Sequence, residues 1–158
     1  SGALVLPLKR HLDAPSTLYA AAILSTRVPG SVISKIGSSF MRNPDAIECL
    51  ELMLPLCESV SDRIERYGIT AENIATNNDY FDLVLMPIFQ IGELIGGGGY
   101  YDALQEMHPA EIWSQAYGLR NRIAHGYSKL KPEIIWATAT ESIPELEKLC
   151  RQLLEDEQ

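Results

Sequence analysis

The stretch "NPDAIECLELMLPLCESVSDRIERYG", residues 43–68, decides the fold. Asn43 can accept hydrogen bonds from the free amides that open a helix, and Pro44 suits the first helical position. Asp45 then places a negative charge at the positive end of the helix dipole. Ala46, Leu50, Met53, Cys57, Val60, Ile64 and Tyr67 recur at intervals of three or four residues, which gathers them on one face. Pro55 lies inside the run and is expected to kink it. Gly68 ends it. The stretch predicts a long amphipathic helix, and such a helix needs other elements to cover its apolar stripe.

The same pattern returns three times downstream. A short turn is read at "GITAEN", and Asn77-Asn78-Asp79 caps a second helix with Phe81, Val84, Ile88, Ile91 and Ile95 inward and Pro87 inside it. Gly96 to Gly99 should halt it, because glycine costs about 1 kcal/mol in a helix interior. That run lacks the GxxxxGK[ST] pattern of a phosphate-cradling loop and is read as a flexible interruption. Pro109 and Glu111 open a third helix with Ile112, Ala116, Leu119 and Ile123 inward, closed by Gly126. Pro132 opens a fourth, with Ile135, Ala139, Ile143, Leu146, Cys150 and Leu153 inward and Pro144 bending it. No alternating strand pattern is present. The chain is therefore predicted to be all-α, an antiparallel four-helix bundle with kinked helices.

Residues 1–40 read differently. They hold Lys9, Arg10, Arg27 and Lys35 against the single acid Asp13, with Pro, Gly and Ser throughout. Ser1-Gly2 has the look of a cloning scar, and Met41 stands just before the first clear helix signal. The division expected is an N-terminal extension over 1–40 and a bundle domain over 41–158.

The whole chain has 158 residues, is 46% hydrophobic and carries a net charge of −8. That length suits one domain, and that charge argues against a grip on nucleic acid by the whole surface. Any polyanion must meet a local basic patch. Cys49, Cys57 and Cys150 show no metal-type spacing and fall in helical patterns, which suggests buried thiols in a reducing cytosol. The apolar run from Leu18 to Leu24 falls short of the ~20 residues of a membrane span. A cytoplasmic protein is expected.

The local basic patch lies at the end of the third helix, in "LRNRIAHGY", Leu119 to Tyr127. No Asp or Glu occurs from Ile112 to Pro132, in a chain with 21 of them, while Arg120, Arg122, Lys129 and Lys131 all do. Asn121 and His125 are four apart and share a helix face with Ser114 and Gly118. Arg120 sits roughly 140° around the helix from His125. Cations at a helix C-terminus also complement its dipole, so the segment reads either as a cap or as a phosphodiester site.

The chemistry of the second reading is specific. His11, His108 and His125 have no ligand spacing, so no metal site is expected. Metal-free RNA cleavage needs a base for the ribose 2′-OH and a cation for the charge gathering on phosphorus. Histidine suits the first task and arginine the second. Asn121 can fix the imidazole or a phosphate oxygen. One histidine cannot act as acid and base at once, which favours two copies of the set brought together by a symmetric dimer.

Arg120-Asn121-x-x-x-His125-x-Tyr127 resembles the R-N-xxx-H-x-Y motif of HEPN-domain ribonucleases, and in particular the HepT toxins paired with MNT nucleotidyltransferase antitoxins. "IGEL" at Ile91 to Leu94, "HPAEIW" at His108 to Trp113 and "PEIIWATATESIPEL" at Pro132 to Leu146 strengthen the likeness, which runs from about Met41 onward. The resemblance implies a HEPN-type bundle, a homodimer and a metal-independent endoribonuclease toxin without cofactors, with Arg120, Asn121 and His125 catalytic. Arg122, Lys129 and Lys131 would bind the RNA, a tRNA or an mRNA. It further implies AMP transfer (AMPylation) onto Tyr127 by the antitoxin. Added bulk and negative charge beside the site would block an RNA phosphate. Residues 1–40 and the Gly96–Gly99 run depart from the family pattern. The competing reading is a non-catalytic bundle that serves as substrate-binding or docking subunit of a nucleotidyltransferase. Glu93 is either an auxiliary group in the cleft or a solvated residue. Trp113 and Trp136 are read as core or dimer contacts, and His108 as a loop residue.

Overall fold

The computed structural model describes residues 43–158. The reading of 1–40 as an extension lies outside them. Among the described residues every element is helical and no strand occurs. Helix α1 spans Pro44–Tyr67, α2 Ala71–Thr76, α3 Asn78–Gly96, α4 Tyr101–Met107 and α5 Glu111–Gly126. A 3-10 turn at Tyr127–Lys129 leads to α6, Pro132–Ala137, which continues through a π turn at Thr138–Ser142 into α7, Ile143–Asp156.

The ends follow the residues that punctuate them. Asn43 Oδ1 accepts from the Ala46 amide at 3.2 Å, and Gly68 closes α1 in the left-handed region at φ 59°. Asn77 caps α3 by accepting from the amides of Asp79 and Tyr80. α1 runs unbroken through Pro55, and α3 through Pro87. Before Pro144 the last helix widens instead of breaking. The Ile143 amide reaches back to the Thr138 carbonyl, five residues away, and this wider turn takes up the lost hydrogen bond and the bulk of the proline ring.

Two short helices correct the sequence reading. "GITAEN" is not a plain turn. Thr70 and Asn73 cap one another, each side chain accepting from the other's amide at 3.2 and 2.7 Å, and α2 follows. The chain between the glycine run and Pro109 forms α4, turned 82° from α3. Gln105 clamps the next corner, between α4 and α5, its amide exchanging hydrogen bonds with the backbone of Ala110 at 3.1 and 3.2 Å. Trp113 is fully buried and its indole N–H donates to the His108 carbonyl at 2.8 Å. It is a core residue that fixes the start of α5. Trp136 is half-buried against the same core.

The core is the one expected. Ala46, Leu50, Met53, Cys57 and Val60 of α1 meet Val84, Ile88, Ile91 and Ile95 of α3 and Ile143, Leu146 and Cys150 of α7. Tyr67, at the end of the first stripe, is 46% exposed instead. Helix α3 packs against both α1 and α5, so it is the wall on which α5 rests. No single helix among the described residues is long and apolar enough to cross a membrane.

Candidate active site

Helices α3 and α5 approach closely because α3 has glycine where they touch. A Cβ at Gly92 would stand 2.5 Å from the Arg120 Cβ and 2.6 Å from the Ala116 carbonyl oxygen. One at Gly96 would stand 1.9 Å from the ring of Tyr117. All three distances are far inside van der Waals contact: at Gly92 the obstacle is backbone, so only glycine fits, and at Gly96 any larger residue would have to turn the Tyr117 ring aside. The first glycine of the 96–99 run is therefore part of the packing, whereas Gly99 supplies the positive φ, 79°, of the turn that follows. The contacts run antiparallel: Gly96 meets Tyr117, Glu93 meets Arg120, and Asp82 meets Tyr127.

Arg120 occupies this seam. Its Nε donates to the Glu93 carboxylate, its Nη1 to Asn121 Oδ1 at 2.9 Å, and its guanidinium lies 5.9 Å from the centre of the Phe89 ring. The hydrogen bond to Glu93, followed by the charge of the same carboxylate, pushes the arginine pKa above its ordinary value. The side chain is 24% exposed, so it is held in place while still open to solvent. The long side chain thus reaches both Glu93 across the seam and the neighbouring Asn121.

His125 lies in the last turn of α5 and is exposed, with no hydrogen-bond partner among the described residues. Its one-turn spacing from Asn121 puts it on the same open face. A Cβ at Gly118 would meet nothing, so that face is uncovered by the rest of the described fold. The structure thus joins Arg120 to Asn121 directly and leaves His125 free on their flank. Arg122, Lys129 and Lys131 are exposed and form no ion pair among the described residues.

Tyr127 opens the 3-10 turn just past α5. Its hydroxyl donates to the Asp82 carboxylate, and its ring meets Phe81 edge-on at 5.9 Å. The bond to Asp82 is the main cause that pushes the phenol pKa up, with partial desolvation behind it. Asp82 had no place in the sequence reading. Asp82, Met86, Phe89 and Glu93 stand at intervals of four, three and four, which puts them on one face of α3 within about 60°. Two acids on the face next to a basic helix were a usable signal. Among the described residues, no group of three or more His, Cys, Asp or Glu is placed to hold a metal ion.

The fold and this seam define a class: an all-α bundle with an Arg-Asn pair and a free histidine at one end of a single helix. A family model described as "Ribonuclease HepT-like" matches residues 57–153. The chain belongs to the HepT-like ribonuclease family. It is also 29% identical over 108 residues to "Putative RNase TTE0752" of Caldanaerobacter subterraneus subsp. tengcongensis, covering 68% of this chain and 93% of that one. No solved structure matches the chain.

Proposed function

We propose that this ribonuclease is a metal-independent endoribonuclease toxin. His125 takes the 2′-OH proton of a bound ribose, and the freed oxygen attacks the adjacent phosphorus. Arg120 stabilises the charge that gathers on the phosphoryl oxygens, and Asn121 holds the guanidinium at one end. The observation that carries this reading is the Arg120–Asn121 hydrogen bond, one helical turn before an exposed histidine that has no side-chain partner among the described residues. The imidazole supplies the base and the guanidinium the charge stabilisation that phosphodiester transesterification needs.

The leaving 5′ oxygen needs a proton, and a second histidine from a symmetry-related copy would supply it. A homodimer through the α3–α5 layer fits this need. Met86, 50% exposed, and Tyr117, 37% exposed, give that layer apolar surface beside the acids and arginines. The three cysteines are buried and free, which suits the reducing cytosol. Tyr127, 48% exposed at the edge of the site, is the natural target for AMP transfer by a partner nucleotidyltransferase antitoxin. A phosphodiester there would put a negative charge where the RNA backbone must come.

RNA incubated with wild type and with His125→Ala, each with and without EDTA, tests the reading. Wild type cleaves in both conditions, and the variant leaves the RNA intact while remaining folded. Undiminished cleavage by the variant removes His125 from the mechanism. Intact RNA with wild type, together with loss of nucleotidyltransferase binding in Arg120→Ala, would support the docking-subunit reading instead.

A further inference from the structure

The Asp82–Tyr127 contact contributes nothing to the core. Asp82 is exposed, and Tyr127 is nearly half exposed. Yet the phenol is held by two side chains, and the backbone beneath it is pinned as well. Phe81 packs against the ring face-to-edge at an interplanar angle of 79°, and Asp82 accepts from the hydroxyl. The backbone is pinned by the Leu130 amide, which donates to the Tyr127 carbonyl at 3.1 Å. An exposed tyrosine on a surface turn ordinarily samples several rotamers. Here one orientation is selected by a carboxylate on a different helix, 45 residues away in sequence.

We propose that Asp82 is the catalytic residue on this chain for nucleotidyl transfer to Tyr127: it aims the phenol oxygen and accepts its proton. The inference rests on the reading of Tyr127 as the modified residue. In the step, the Tyr127 oxygen attacks the α-phosphorus of a nucleoside triphosphate held by the partner transferase. The bond from oxygen to phosphorus forms, and the bond from the α-phosphorus to the bridging oxygen breaks. Pyrophosphate leaves with that electron pair. The phenolic proton passes to the Asp82 carboxylate and then to water. A carboxylate is a weak base for a phenol in the resting state, where it keeps the proton on the tyrosine. It suits a loose phosphoryl transition state, in which the proton leaves late. Its larger resting contribution is orientation, because the hydrogen bond fixes where the hydroxyl lone pairs point.

The product has a built-in release. The ester oxygen carries no hydrogen to donate, and the new phosphodiester anion faces the Asp82 carboxylate. Loss of the bond and like-charge repulsion both drive Tyr127 off α3 once it is modified.

The test uses the full chain, a nucleotidyltransferase of the MNT type and magnesium-ATP, with adduct formation followed by intact-protein mass spectrometry. Tyr127→Phe, Asp82→Asn and Asp82→Glu are compared with wild type after circular dichroism shows each to be folded. Asp82→Asn keeps an oxygen that accepts the hydroxyl but cannot take the proton. Its rate is expected to fall on the order of 100-fold and to climb about tenfold per pH unit as phenolate replaces the missing base. Wild type stays flat over about pH 6.5 to 8.5, and Asp82→Glu recovers part of the rate. Modification of Asp82→Asn at the wild-type rate, or a slowed rate with a flat pH profile, overturns the proposal. Unmodified wild type, or modified Tyr127→Phe, overturns the underlying reading of Tyr127, and the role of Asp82 falls with it.

Discussion

Glu93 on α3 and Arg120 on α5 form an ion pair across the seam that Gly92 makes narrow enough for their side chains to meet. The carboxylate takes the Nε edge of the guanidinium and leaves its outer nitrogens to Asn121 and solvent. Glu93 therefore reduces the net positive charge offered to RNA while it fixes the direction of the fork. These two effects separate in kinetics. Glu93→Gln keeps a hydrogen-bond acceptor but removes the negative charge, so RNA binding should hold or tighten. The arginine becomes less tightly placed, and small misplacements of a catalytic group cost large factors in rate. The expected result in steady-state cleavage assays is kcat about tenfold lower with KM unchanged or reduced.

Gly92 and Gly118 lie on facing helices and should respond oppositely to the same substitution. Gly92→Ala drives a methyl group into Ala116 and Arg120, and overpacking of this kind costs about 1–3 kcal/mol. Gly118→Ala meets open space on a helix interior and should stabilise by up to about 1 kcal/mol. Chemical denaturation of the two variants checks both signs.

The basic side chains of the site region should act on binding rather than on chemistry. Arg122→Ala, Lys129→Ala and Lys131→Ala are each expected to lower the slope of log affinity against log salt by about 0.7, the value for one lost contact to a single strand. The chain is otherwise acidic, at −8 overall, so little background attraction masks the change. Cleavage rates at saturating RNA should stay near wild type. Binding titrations at several salt concentrations measure the slopes.

Burial makes the three thiols sensitive to alkali. Desolvation pushes Cys49 and Cys150 up from 9.0 to about 12, and Cys57 also upward, with the charge of Cys150 a secondary cause. Each thiol is protonated longer in the folded state than in the unfolded chain. Their stabilisation is thus complete below about pH 9 and is lost as pH rises toward 12, with a slope of up to about 1.4 kcal/mol per pH unit and thiol. Denaturation midpoints measured between about pH 8 and 11 should fall more steeply for wild type than for Cys49→Ala.

Most of the fold was legible because its signals are local. Asn43, Pro44 and Gly68 mark the ends of α1, and Asn77 marks the start of α3, each through the chemistry of one side chain. The stripes of α1, α3 and α7 are long enough to show their period. α2 and α4, at six and seven residues, are not. The capping pair of α2 also uses Asn73 where Glu or Gln is usual. Of the site, the α5 members were legible as one contiguous run, since all of them sit within eight residues. Their partners Asp82, Phe89 and Glu93 belong to a different helix, and their role depends on how α3 and α5 align. That alignment follows from Gly92 and Gly96, whose function as contact points appears only once the helices are packed. Glu93, open between two readings in the sequence, is tied to Arg120.

The central claim is that a histidine and an arginine of this chain cleave RNA through attack by the ribose 2′-OH. The chemical ends of the products test it most directly. RNA cut by the wild-type protein in EDTA should carry a 2′,3′-cyclic phosphate on one fragment and a 5′-hydroxyl on the other. Fragments ending in 3′-hydroxyl and 5′-phosphate would show water as the nucleophile and contradict the account.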